Sequence, residues 1–424
     1  MHTPREPDYI VKRDGSTAHF DPAKIRTALL KAGSSTGEFG EAAAERLTGE
    51  TLELIESRRP EELSVELVQD LVEEVLLGSE FKHTAKAYIL YREQHARQRQ
   101  RDIFKRRLNL KPYEYPELAA YVDSIRHSYW IHTEFNYTSD IQDFKVNVTA
   151  AEREVIRKTM LAIAQIEVSV KSFWGDIHKK LPKPEIGSVG YTFAESEVRH
   201  HDAYSHLLEL LGLNHEFEQI GAIPSIIRRI RYLDKINLLA HGEQPEDYAL
   251  SILLFSLFIE HVSLFSQFLI MMAFNKYRNL FKGISNVIEA TSKEEQIHGL
   301  FGIDLINIIR SEHSEWFTPE LSHRIAAMCH EAWEAESHII DWFFESGELD
   351  FLPKALVQEF VKDRLNTALE RIGEQPQFAV DSELLHEVDW FDDEVIATKH
   401  GDFFVKRSIN YNKRAKSITS DDLF

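Results

Sequence analysis

Phe193-Ala194-Glu195-Ser196-Glu197-Val198-Arg199-His200-His201-Asp202-Ala203-Tyr204 is the stretch on which the reading of this 424-residue chain turns. Glu197 and His200 stand three apart, so on a helix they share one face. Tyr204, Leu207 and Leu211 continue the stripe, which aims the pair at a core rather than at water. The spacing returns about a hundred residues later as Glu295 and His298, on a stripe with Leu305 and Ile306. A lone glutamate precedes each pair inside an apolar helical run. Glu167 continues Met160, Ile163 and Val170, and Glu260 lies amid Leu253, Leu257, Leu264 and Phe268. A buried ionised carboxylate is very unfavourable unless paired or bound to metal, and four converging would require cations. Four carboxylates and two imidazoles are the donor set of a carboxylate-bridged dinuclear metal site within a helix bundle. Such a site can activate dioxygen, which no side chain does alone.

The Glu-x-x-His spacing by itself is weak, since the chain holds five instances. Glu80/His83, Glu320/His323 and Glu383/His386 lie in polar surroundings and read as solvated faces. The bland reading of the chosen six is a set of unrelated core ion pairs. Oxygen and imidazole donors suit iron or manganese, whereas structural zinc more often wants thiolate. No His-Glu-x-x-His is present, which disfavours a zinc protease.

From about residue 116 to 400 the periodicity is almost wholly helical. Tyr248 to Phe274 is apolar and long enough to cross a bilayer, but Glu260 and His261 sit at its middle, so a buried core helix is expected. Residues 1–100 form a separate unit. Tyr9-Ile10-Val11-Lys12-Arg13, Asp14-Gly15 and Thr17 to Phe20 read as a hairpin, and Asp21-Pro22 as a helix start. Helices are expected over 40–57, over 63–78 and from Thr84. The basic stretch 101–115 reads as a linker and the polar end 401–424 as a flexible tail. A net charge of −20 argues against a nucleic-acid or anionic-membrane surface. Cys329 is the single cysteine, so no internal disulfide can form, and the N-terminus shows no apolar signal core. A cytoplasmic location is the expectation.

Residues 116–424 resemble the radical-generating small (beta) subunit of class I ribonucleotide reductase. Phe193 to Tyr204 resembles the segment with that family's second and third ligands, and Glu294-Glu295-Gln296-Ile297-His298 its last ligand pair. The resemblance makes Glu167, Glu197, His200, Glu260, Glu295 and His298 metal ligands and puts Tyr204 at the radical position. Glu294 stands where an aspartate usually pairs with a tryptophan, and Trp130 resembles that tryptophan on the electron-transfer route. Glu167 stands where many members carry Asp, and glutamate there also occurs in members using manganese. Tyr411, in Ile409-Asn410-Tyr411-Asn412, resembles the tail tyrosine that relays the radical, and Ser420-Asp421-Asp422-Leu423-Phe424 the end that docks on the catalytic subunit.

The first hundred residues resemble the ATP-cone. Val11-Lys12-Arg13-Asp14-Gly15, Phe20-Asp21 and Lys24-Ile25 match its opening, and Lys86-Ala87-Tyr88-Ile89-Leu90-Tyr91-Arg92 its last helix. Ala18 replaces an acidic residue often found before the first helix. Lys12, Arg13, Lys24 and Arg92 are the implied contacts for ATP or dATP, with Mg as the accompanying ion. The module is more familiar on the catalytic subunit, so its fusion here implies ATP/dATP control through this chain.

The expected fold is therefore mainly α: a ferritin-like helix bundle with a dinuclear metal site, preceded by a small α+β ATP-cone domain. The same ligands accept Mn/Mn, Fe/Fe or Mn/Fe. The resemblance implies a homodimer with dATP-dependent higher oligomers and a catalytic large (alpha) subunit as partner. A ferritin-like dimetal oxidase with a nucleotide-sensing domain would use the same six ligands without Trp130 or Tyr411. A non-enzymatic nucleotide sensor would need only the cone.

Overall fold

Asp21 keeps an extended backbone, and its carboxylate accepts the Ala23 N–H at 3.0 Å. With Pro22 preset for the first turn, helix α1 (Pro22–Thr36) starts there and stops at Gly37, whose φ of 72° suits glycine. Strands β1 (Tyr9–Val11) and β2 (Thr17–His19) pair antiparallel ahead of it, with Ile10 opposite Ala18. Helices α2 (Glu41–Arg58), α3 (Val65–Gly78) and α4 (Lys82–Arg99) follow, close to the spans expected from periodicity. Leu29, Leu47, Leu71 and Leu76 are fully buried between these helices. The start of α4 is held by Glu38, whose carboxylate accepts the N–H of His83 at 3.3 Å, the N–H of Thr84 at 2.7 Å and the Thr84 hydroxyl at 2.8 Å. The computed structural model describes residues 8–12, 16–99, 101–168 and 170–396. It divides into two compact units, Met1–Arg101 and Asp102–Phe424.

The second unit is a helix bundle. Its main members are α5 (Pro116–Ser128), α6 (Ala150–Ile166), α7 (Lys171–Lys180), α8 (Pro184–Leu211), α9 (Pro224–Ala240) and α10 (Pro245–Leu254). A π-helical segment (Phe255–Ser263) continues α10 and passes into α11 (Phe265–Arg278). The long α12 (Lys282–Glu312), α13 (Pro319–Phe343) and α14 (Lys354–Arg371) complete it. The apolar run Tyr248–Phe274 is buried within the bundle, as its central Glu260 and His261 require. Helix α12 lies against α5, the π segment and α11, and α8 lies against α5 and α7. Two glycines of α12 set how closely it meets the π segment. A Cβ on Gly302 would fall 1.8 Å from the Ser256 hydroxyl, and one on Gly299 would fall 2.5 Å from His261 Nδ1. Cys329 on α13 is buried, and burial pushes its thiol up to about 12.

Residues 102–115, expected as a linker, pack onto this bundle. Ile103 and Tyr115 are fully buried. Glu312, at the end of α12, accepts the Ile103 N–H at 2.8 Å and the Tyr115 hydroxyl at 2.9 Å. The buried carboxylate of Glu185 accepts the N–H groups of Glu114 and Tyr115 and pairs with Arg107. Of the basic residues that made the stretch look solvated, Arg107 meets a buried carboxylate far away in sequence, while Lys105, Arg106 and Lys111 stay exposed.

Candidate metal centre

The six candidate ligands come from four elements. Glu167 caps the C-terminus of α6, Glu197 and His200 share a face of α8, Glu260 belongs to the π segment, and Glu295 and His298 share a face of α12. All six side chains are 0–1% exposed. The bundle brings them into two overlapping groups, one of Glu167, Glu197, His200 and Glu295, the other of Glu197, Glu260, Glu295 and His298. Within each group the donor atoms lie within 4.8 Å of one another, and Glu197 and Glu295 belong to both. His200 Nδ1 stands 3.0 Å from Glu295 and 3.4 Å from Glu197. His298 Nδ1 stands 3.0 Å from Glu197, 3.3 Å from Glu295 and 3.6 Å from Glu260.

The outer atoms of both rings are taken. His200 Nε2 is 2.8 Å from Glu294 and His298 Nε2 is 2.9 Å from the Ser196 hydroxyl, which leaves each Nδ1 facing the cluster. Both Nδ1 atoms and both oxygens of Glu167, Glu197 and Glu295 are buried without a well-formed hydrogen bond. Buried polar atoms are seldom left so. Six orphaned carboxylate oxygens and two ring nitrogens aimed at one point fit a pair of hard cations. The electrostatics agree. Burial drives Glu167 and Glu260 well above the ordinary carboxylate range, while the nearby Glu260 and the two histidines overcome burial and hold Glu295 well below it. Burial alone would lower the two imidazoles, yet the surrounding carboxylates hold both well above their usual value. Cations binding here would therefore compete with protons for these donors.

Around the cluster the structure adds residues that spacing could not assign. Glu294 is fully buried and accepts from Trp130 Nε1 at 3.2 Å, from both terminal nitrogens of Arg199 at 3.1 Å and from Ser128 at 3.0 Å. Burial would raise its carboxyl, but His200 and Arg199 outweigh this and hold it below the ordinary value. Trp130 also stacks on His200, with ring centres 5.8 Å apart and planes 16° apart. Trp174 donates from Nε1 to Glu260 at 2.7 Å across 86 residues of sequence. Arg199 neighbours His200 in the chain and carried a signal by adjacency, whereas Trp174 carried none. Tyr204 is fully buried with its hydroxyl unpaired, and burial, then the charge of Glu167, raises its pKa well above the phenol value. Tyr411 lies outside the described residues.

In the first unit, Lys12 and Lys24 line a cavity of about 190 Å³ together with Asp21, Gln69 and Tyr88. Lys24 and Arg92 line a larger one of about 800 Å³ with Lys31 and Tyr91. Arg92 is engaged by Glu73 at 2.7 Å, Asp70 at 3.0 Å and Glu66 at 3.3 Å, so it meets a phosphate only by leaving carboxylates. Arg13 lies outside the described residues.

Residues 107–384 match the family model of the ribonucleotide reductase small chain. The chain belongs to that family. Residues 8–97 match the ATP cone domain. This reductase small chain is 25% identical over 294 residues to the ribonucleoside-diphosphate reductase subunit beta of Chlamydia pneumoniae, covering 66% of this chain and 83% of that one. It is also 38% identical over 98 residues to the subunit alpha of the same organism, covering 21% of this chain and 9% of that subunit. The solved dimanganese(II)-NrdF of Streptococcus sanguinis shares the fold, with a TM-score of 0.57 at 15% identity over 67% of this chain and 100% of that one. The reductase small chain is thus mainly helical, with a ferritin-like bundle behind an N-terminal ATP cone.

Proposed function

We propose that this chain generates the oxidant for ribonucleoside-diphosphate reduction on a separate large (alpha) subunit, under ATP/dATP control at its own cone. The observation that carries the reading is the pair of ligand groups sharing Glu197 and Glu295, with their inward atoms unpartnered. Glu167 and His200 would hold one ion, Glu260 and His298 the other, and Glu197 and Glu295 would bridge. When bound, the metal pair (Mn/Mn, Fe/Fe or Mn/Fe) supplies the oxygen chemistry from which one oxidising equivalent is drawn.

The side chains do the rest. Glu294 fixes the ring of His200 so that Nδ1 faces the cluster, and it accepts from Trp130 at the same time. A continuous hydrogen-bonded path therefore joins His200 to Trp130, along which an electron and its proton can move together. Tyr204 keeps its proton in the resting site and stores the equivalent if it gives up both electron and proton. Tyr411 would pass the equivalent to a cysteine of the alpha subunit. Lys12, Arg13 and Lys24 would meet the nucleotide phosphates with Mg, and dATP would shift a homodimer to larger oligomers. A dimetal oxidase would have no use for the Glu294–Trp130 link, which favours the reductase role.

The test is titration of the metal-free full chain with Mn(II) or Fe(II). Two ions per chain are expected, with Glu197→Gln weakening both and Glu167→Gln one; fewer than two would overturn the dinuclear reading. After exposure of the loaded protein to oxygen, a narrow organic radical in the low-temperature EPR spectrum that is lost in Tyr204→Phe makes Tyr204 the store. A signal indifferent to that substitution puts the oxidant on the metals.

A further inference from the structure

Glu260 is the one candidate ligand that does not sit on, or at the end of, a regular helix. A π turn accommodates an extra residue, so residues beyond it are rotated by about 100° from where an unbroken α-helix would put them. Such turns are rare because their hydrogen bonding is inferior, and they persist where something outside the helix holds them. In this segment two carbonyls are held by arginines from other helices. Arg364 of α14 donates from Nε to the His261 carbonyl at 2.6 Å, and Arg229 of α9 donates to the Ser263 carbonyl at 3.3 Å.

Arg364 is the more telling of the two. Among the described residues no carboxylate lies within ion-pairing distance of it. Its guanidinium sits over the Phe265 ring at 3.5 Å and near Phe360 at 5.6 Å. Burial pushes its pKa down to about 9, with Arg371 adding to the shift and the charges of Asp392 and Asp363 opposing it. With its Nε on the His261 carbonyl and its guanidinium over the Phe265 ring, Arg364 is fixed against the π segment by geometry. That acceptor belongs to the residue directly after Glu260. The same residue is fixed twice more, since Arg371 donates to His261 Nε2 at 2.8 Å and the ring lies where Gly299 leaves room.

We propose that Arg364 is a positioning residue that holds the π register aiming Glu260 at His298 and Glu295. The inference rests on the dinuclear reading above and adds a residue outside the ligand set. It is tested by Mn(II) titration of the full chain, following free and bound ion by EPR and helicity by circular dichroism, in wild type, Glu260→Gln, Arg364→Met and Arg364→Lys. Arg364→Met should weaken the second ion by about tenfold or more, as Glu260→Gln does, with the first ion unchanged and Arg364→Lys intermediate. Should Arg364→Met not fold, Arg364→Gln, too short to reach the carbonyl, carries the same expectation. Wild-type affinity for both ions overturns the proposal, and so does equal weakening of both, which general loosening would give. A wild type that fails to bind two ions removes the metal centre instead, a distinct result.

Discussion

Glu294 takes hydrogen bonds from His200, Trp130, Arg199 and Ser128, so one carboxylate orients a candidate ligand, the aromatic on the proposed electron route and the cation that balances its own charge. Charge-assisted bonds of this kind contribute about 1.5–3 kcal/mol each. Glu294→Gln keeps the shape but brings an amide where acceptors are needed, leaving Arg199 without its full counter-charge. We expect it to lower turnover with the alpha subunit by about 10–100-fold while metal stoichiometry holds, checked by activity and metal quantitation on the same sample. Unchanged turnover would reduce Glu294 to a counter-ion for Arg199. Much of this site was readable at the residue scale, because Glu197/His200 and Glu295/His298 each lie within one helical turn and show their common face locally. The partners that tune the site were not, because contacts such as Trp174 to Glu260 are made by the fold across distant sequence.

At the scale of elements, caps and irregular turns decide the boundaries. Glu38 closes the start of α4 through three donors from His83 and Thr84. Partial burial would raise its carboxyl, but those bonds win and lower it below its ordinary value of 4.5. A carboxyl depressed in the folded state contributes stability that is complete above the unfolded value and vanishes as pH falls through the folded one. Glu38→Gln should therefore melt lower than wild type at neutral pH and converge with it below the carboxylate range. Thermal unfolding of the full chain by circular dichroism checks this, and a gap that persists in acid would trace the loss to shape instead. Asp21-Pro22 announced α1 because cap and first-turn residues act locally. The π segment had no such notice, since Phe255–Ser263 contains neither proline nor glycine and its register depends on Arg364, Arg229, Gly299 and Gly302 from elsewhere.

At the scale of the whole molecule, the cavities lined by Lys24 lie in one unit and the carboxylate–histidine cluster in the other. Lys24 lines both cavities. Lys24→Ala should weaken ATP and dATP binding by about tenfold, the equivalent of one lost charged contact, and leave the metal count untouched. Calorimetric nucleotide titration beside metal analysis checks both, and undiminished affinity would take Lys24 out of the phosphate contacts. The sequence changes character near residue 100, and the stretch after it reads as a linker because its contacts are not local. Its backbone N–H groups meet Glu185 and Glu312, 70 to 209 residues away, and Arg107 pairs with Glu185. Cys329 has a use at this scale. A lone thiol that is sealed in and held protonated is blind to maleimide and methanethiosulfonate reagents while the protein stays folded. The native chain is thus a ready background for spin labels. Leu77→Cys on α3 and Leu238→Cys on α9, at side chains 53% and 72% exposed, would report the distance between the two units directly, with and without nucleotide, and no cysteine would first have to be removed.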